Sequence, residues 1–181
     1  MTQYILFTAA VQTAQSAKLR TALTDASNAG NDIYILMSSL GGNVSEGLNL
    51  AAYMKTLPVK ITTHNIGQID SIANVVFAAG STRYATPNSS FMFHGVSMHY
   101  ERQDFIESQL LEQYRQVKRL RENIATVFSQ HTGISVADAE ELMVTGATIL
   151  NAQDALVKLI IHEIRDAAVP PGSHIIAIGD A

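Results

Sequence analysis

Three short stretches of this 181-residue chain place reactive residue types where the backbone is expected to turn. The first, Ser38-Ser39-Leu40-Gly41-Gly42, follows the apolar run Ile33 to Met37. Paired glycines turn a backbone tightly and leave amide hydrogens facing a ligand, which suits stabilisation of an oxyanion. The second, Gly67-Gln68-Ile69-Asp70-Ser71, leads into an apolar, alanine-rich run that stops at Gly80. A hydroxyl near the positive end of a helix suits an attacking alkoxide. The third is His94, which ends the apolar run Phe91-Met92-Phe93. An imidazole there can act as a general base. Each stretch also has an ordinary structural use. Glycines make turns into helices, serines cap them, and His64, His99 and His131 compete with His94 for any role.

The elements that must hold these residues follow from apolar patterning. Tyr4 to Thr8, Ile33 to Met37 and Val59 to Thr63 read as strands. Between them lie a helix from Thr13, a candidate cap, to about Ser27, and a second helix carrying Leu48, Ala51, Ala52 and Met54 that ends at Pro58. Gly67 to Asp70 reads as a turn, with a third helix from Ser71 to Gly80. Strand and helix alternate, so the expectation is stacked βαβ units around a mainly parallel sheet, whose sites form at the carboxyl ends of strands. Two short strands follow, near Arg83 to Ala85 and Phe91 to Phe93. From about Arg102 to Gln130, apolar residues recur at three and four residues, among them Ile106, Leu110, Tyr114, Val117 and Leu120. That is one long amphipathic helix, about 40 Å at 1.5 Å per residue. Ser135-x-x-Asp138 and Asn151-x-x-Asp154 read as helix N-caps, and Pro170-Pro171-Gly172 as a turn before a last strand, His174 to Ile178.

Composition narrows the function classes. The formal charge is −4, with no basic stripe interleaved with aromatics, which argues against nucleic-acid binding. Without cysteine there is no disulfide, thiolate metal site or cysteine nucleophile. No apolar run reaches the roughly 18 to 20 residues of a membrane span, and the first residues do not read as a signal peptide. A soluble, cytoplasmic protein is the expectation.

Taken in order, the fragments resemble the proteolytic subunit of the Clp protease and, more distantly, other crotonase-like proteins. The matching stretches are Ile35 to Gly42, Gly67 to Ser71, Ala79-Gly80, Pro87-Asn88-Ser89 with Phe91 to His94, His131-Thr132-Gly133, and Ile149 to Ala152. They keep the family's order and nearly its spacing over about Tyr4 to Ile164. The resemblance implies an α/β fold of repeated ββα (βαβ) units. It implies one domain over residues 1–181, a protruding handle helix at about 102–130 and a C-terminal tail at about 165–181. It makes Ser71 the nucleophile and His94 its base, with the backbone amides of Gly42 and Ile72 as the oxyanion hole. It implies peptide hydrolysis through an acyl-enzyme without cofactor or metal. The partner would be the chain itself, in a heptameric ring or a stacked pair of rings.

Several positions depart from that pattern. The family's triad aspartate falls at Ala147, in a segment without an acid, so Thr148 beside it is the candidate for orienting His94. Asp70 stands where the family has alanine, Leu40 where it has proline, and Asn74 lies one helical step after Ser71. Gly95 to Arg102 replaces a glycine-rich, substrate-binding strand. The chain also starts almost at the first core strand, without the family's axial segment, which leaves the docking of an unfoldase ATPase open. A serine endopeptidase is the leading expectation. A catalytically impaired assembly subunit and a crotonase-type enzyme acting on an acyl-thioester are the alternatives. Ser71-dependent peptide turnover separates the first from the second, and tight binding of a coenzyme A thioester would favour the third.

Overall fold

Apolar residues of the early runs pair across strands and are covered by the helices that join them. The structure, a computed structural model, describes residues 1–97, 104–144 and 146–180. β1 (Thr2–Thr8), β2 (Asp32–Ser39) and β3 (Ile61–Asp70) are parallel, connected by α1 (Thr13–Asn28) and α2 (Val44–Thr56). Ile5 lies opposite Ile35, and Ile35 opposite Thr63. α3 (Ala73–Ala78), β4 (Thr82–Ala85) and β5 (Ser90–Phe93) follow. Then come α4 (Glu107–His131), α5 (Val136–Val144), β6 (Thr148–Asn151), α6 (Ala152–Val157), β7 (Glu163–Ile164) and β8 (Ile175–Gly179). All eight strands join one sheet, ordered β6-β5-β3-β2-β1-β8, with β4 and then β7 branching from β3. Only the β5–β6 pair is antiparallel among the described strands.

β3 does the most to position the site. Its first half, Thr62 to Asn65, pairs with β4, and its second half, Gln68 to Asp70, with β5. The turn expected at Gly67 to Asp70 is therefore strand. Asn65 Oδ1 accepts the Gly67 amide at 2.9 Å and Ser38 Oγ accepts the Gln68 amide at 3.4 Å, which carries the chain past a register shift against β2. The helix expected from Ser71 begins at Ala73, after a two-residue turn. α1 starts at Thr13, but its N-cap is Gln12, without a side-chain cap. The caps at Ser135 and Asn151 form, with Oγ and Oδ1 accepting the amides of Asp138 and Asp154 at 3.1 and 2.9 Å. β7 had no counterpart in the sequence reading.

One apolar cluster lies between the sheet and its helices, with Phe7, Leu19, Ile35, Leu50, Phe77, Phe91 and Phe128 fully or almost fully buried. α4 is about 37 Å long at 1.5 Å per residue. Its second half docks through Ile124, Ala125 and Phe128, while Leu110, Leu111 and Tyr114 in its first half stay exposed. The helix start expected at Arg102, the segment from Met98 to Arg102 and Thr145 lie outside the described residues. No helix among the described residues is long and apolar enough to cross a membrane.

Candidate active site

Ser71 occupies a strained corner between β3 and α3. Its φ is 55°, a left-handed conformation that costs a residue with a Cβ about 1–2 kcal/mol. The surrounding bonds hold it there. The Ser71 amide donates to the Met92 carbonyl of β5 at 2.8 Å. The Asn74 side-chain amide donates to the Ser71 and Met92 carbonyls at 3.1 and 2.9 Å, tying the corner to β5 from below. Both Asn74 partners are acceptors, so its nitrogen must face them. Its Oδ1 is buried without a hydrogen-bond partner among the described residues. A sharp strand-to-helix turn of this kind lifts a side-chain oxygen off the backbone and toward the adjoining cavity.

The two glycines at the end of β2 face this corner. Gly41 and Gly42 both have positive φ, 85° and 150°. A Cβ on Gly41 would lie 2.7 Å from the Asp70 carbonyl oxygen and from Ser71 Cβ, so only glycine lets the two turns approach this closely. Gly42 packs against Val11. The Val11 amide donates to the Gly41 carbonyl and the Asn43 amide to the Val11 carbonyl, each at 2.8 Å. Those bonds fix the loop while the Gly42 amide takes no acceptor among the described residues, and neither does that of Ile72.

His94 follows directly on β5. Phe93 packs edge-on against Phe128 of α4, ring centroids 5.4 Å apart, and anchors the strand end that carries the imidazole. His94 Nδ1 lies 2.7 Å from the Gly95 carbonyl oxygen. A carbonyl only accepts, so Nδ1 donates, and in the neutral ring this leaves the lone pair on Nε2, as a general base requires. Thr148 pairs with Phe93 across the β5–β6 ladder and lines a different depression, with Asp138, Glu141 and Lys158. The described residues contain no hydrogen bond between Thr148 and His94 and none between Ser71 Oγ and His94.

Ser71, His94, Gly42 and Ile72 all line one cavity of about 250 Å³. The rest of its wall is mostly apolar, including Val44, Val75, Phe93, Ile124, Phe128 and Met143. Just outside it, Asp70 is 9 % exposed. Burial pushes its carboxyl above the ordinary range, opposed by the nearby His94 imidazole and by a hydrogen bond from the Met92 amide. No cluster of three or more potential metal ligands occurs among the described residues.

A serine and a histidine brought to one cavity from separate loops, beside two amides that have no acceptor among the described residues, invite comparison with known hydrolases. Residues 2–168 match the family described as Clp protease. The chain belongs to the Clp protease family. The match runs from β1 past β7, so it takes in every residue of the cavity. Relative to the Clp protease pattern, the structure brings together Ser71, His94, Gly42 and Ile72 and leaves Thr148 apart. Sequence reasoning missed two features, the Gly95 carbonyl as the partner of Nδ1 and the Asn74 bonds that brace Ser71. The first is a backbone atom and has no residue-type signature. The second was foreshadowed by an amide side chain one helical step after the serine, in an otherwise apolar run.

Proposed function

We propose that this Clp protease family member is a serine endopeptidase subunit with Ser71 as nucleophile and His94 as base. The observation that carries the reading is that Ser71, His94, Gly42 and Ile72 line one cavity, and that the Gly42 and Ile72 amides have no acceptor among the described residues. As Ser71 Oγ bonds to the scissile carbonyl carbon, its proton passes to His94 Nε2. The carbonyl oxygen becomes an oxyanion facing the two amides. The imidazolium then gives that proton to the departing amine as the C–N bond breaks, leaving an acyl-enzyme. Water, deprotonated by His94, releases the acid. The apolar wall of the cavity suits an apolar substrate side chain next to the scissile bond.

Without a triad aspartate, the Gly95 carbonyl takes over the work of fixing the tautomer, in place of Thr148. A wrong tautomer is what makes loss of the aspartate cost about 10⁴ in rate elsewhere, so holding Nδ1–H preserves part of that factor. Family members generally form rings and act on peptides. The exposed Leu110, Leu111 and Tyr114 of α4 fit a handle that buries against a second copy. A turnover-free assembly subunit is the second reading, favoured by the lack of an acid bonded to His94 Nδ1 among the described residues. Fluorogenic peptide turnover decides between them. Activity in the wild-type assembly that is lost in Ser71→Ala, with the assembly retained, supports the peptidase. Equal rates for the two proteins contradict it.

A further inference from the structure

The cavity beside Ser71 carries a polar demand that the proposed reaction does not meet. Among the described residues, the polar side chains lining it are those of Ser71, Asn74, His94 and Ser97. Ser71 and His94 are assigned to bond making and proton transfer, and Ser97 is exposed to solvent. Asn74 is 1 % exposed and takes no part in that chemistry. Its nitrogen is committed, because Nδ2 donates to the Ser71 and Met92 carbonyls at 3.1 and 2.9 Å. The planar amide therefore turns Oδ1 away from both carbonyls, and no donor among the described residues reaches it. A buried acceptor left in this state forfeits the hydrogen bond that water would give it, a cost that an apolar residue of similar size would avoid. The adjoining wall offers no side-chain donor, since Val75, Phe93, Ile124 and Phe128 have none.

We propose that Asn74 Oδ1 is a specificity-determining acceptor for a neutral donor, a hydroxyl or carboxamide N–H, at the tip of the substrate side chain next to the scissile bond. The inference rests on the peptidase reading for the placement of that side chain. Asn74 lies in the first turn of α3, and both its backbone amide and its Nδ2 donate to the Ser71 carbonyl at 3.1 Å. The acceptor thus stands one helical step from the nucleophile, on the wall of the cavity that a neighbouring substrate side chain would fill. The apolar wall takes the stem of that side chain and Oδ1 takes its tip. A wholly apolar side chain leaves Oδ1 unpaired, and a charged one is stripped of its water against the same wall. One amide then serves twice, its nitrogen bracing the corner of Ser71 and its oxygen reading the substrate.

Peptides differing only in that residue are compared in matched pairs, threonine with valine, glutamine with methionine and tyrosine with phenylalanine, which present the donor at increasing reach. Wild-type kcat/KM should favour the donor member of at least one pair by about tenfold. Asn74→Ala removes the acceptor and the brace together. Loss of the brace slows both members of a pair alike. Loss of the acceptor collapses or inverts their ratio, because a donor in an apolar pocket then goes unpaired. The ratio is therefore a readout that a merely structural role would not move. Asn74→Leu, close to asparagine in shape, repeats the comparison if the alanine variant does not fold. The same pairs are titrated by fluorescence anisotropy against Ser71→Ala protein, which reads binding without turnover, and the favoured donor member should bind about tenfold tighter. If wild type hydrolyses none of the peptides, the peptidase reading falls and the anisotropy ratio alone decides the role of Asn74. Equal values within every pair, as when an internal water satisfies Oδ1, overturn the proposal, and so does an absence of binding. A donor preference that persists unchanged without the Asn74 side chain overturns it as well.

Discussion

Replacing Gly42 by alanine tests whether that amide is a working oxyanion donor. A Cβ at this position would lie 2.5 Å from the Val11 carbonyl oxygen, 3.0 Å from its carbon and 3.1 Å from its nitrogen. All three are backbone atoms, so no side chain can swing aside. Real Cβ contacts scarcely fall below 3.0 Å, so the loop must shift by at least about half an ångström, pulling on the bonds between Val11 and residues 41 and 43. That strain should cost about 1–3 kcal/mol of stability. The larger effect should be on rate, because losing one oxyanion donor costs about 10²–10³ in kcat. A misplacement of this order at a reacting centre acts in the same direction. Gly30→Ala is the control. Gly30 also has positive φ, 69°, but no described atom beyond its own and its chain neighbours' lies within 4 Å of the Cβ position, and it does not line the cavity. It should lose about 1 kcal/mol or somewhat more of stability and no activity. Peptide kcat/KM and urea unfolding are measured for both. A folded Gly42→Ala protein that keeps its rate within twofold refutes the oxyanion assignment.

Two further outcomes follow from packing and titration. Phe128→Ala removes a 2 % exposed ring that supports Phe93 beside His94. It should cost about 3–5 kcal/mol in urea unfolding and lower the peptide rate as the imidazole loses its anchor. Burial depresses the imidazoles of His64, His131 and His162 below the ordinary range. Between their folded values and about 6.5, the unfolded chain binds protons that the folded one refuses. Stability should therefore fall on acidification from pH 7 toward 5, by up to ~1.4 kcal/mol per pH unit for a proton taken up by the buried His64 and by less for the more exposed His131 and His162, whose charges water screens. His64→Gln should blunt the slope of melting temperature against pH.

The strands and helices around the site were legible because their periodicities were intact, as in Ile33 to Met37 and the helix after Gly42. The two candidate site loops were legible as compositions, paired glycines and a serine before an apolar helix. What could not be read was register. Gly67 and Gln68 look like a turn, yet β3 runs through them because Asn65 and Ser38, one of them on another strand, supply the hydrogen bonds. Asp70 looked like a neighbour of the serine and no more. Its place opposite Met92 appears only once β3 pairs with β5. The partner of Nδ1 lay beyond sequence for a simpler reason, since every residue except the last in a chain has a carbonyl to offer its neighbours. The segment Thr145 to Leu150, where the resemblance leads one to expect an acid, visibly holds none.

The central claim is that Ser71 is a nucleophile activated by His94, and a covalent probe tests it most directly. Wild-type protein treated with a fluorophosphonate should gain one adduct by intact mass, mapped to Ser71 by peptide sequencing. The adduct should be absent from Ser71→Ala and form far more slowly in His94→Gln. An adduct on another residue, or none on the assembled wild-type protein, would contradict the account.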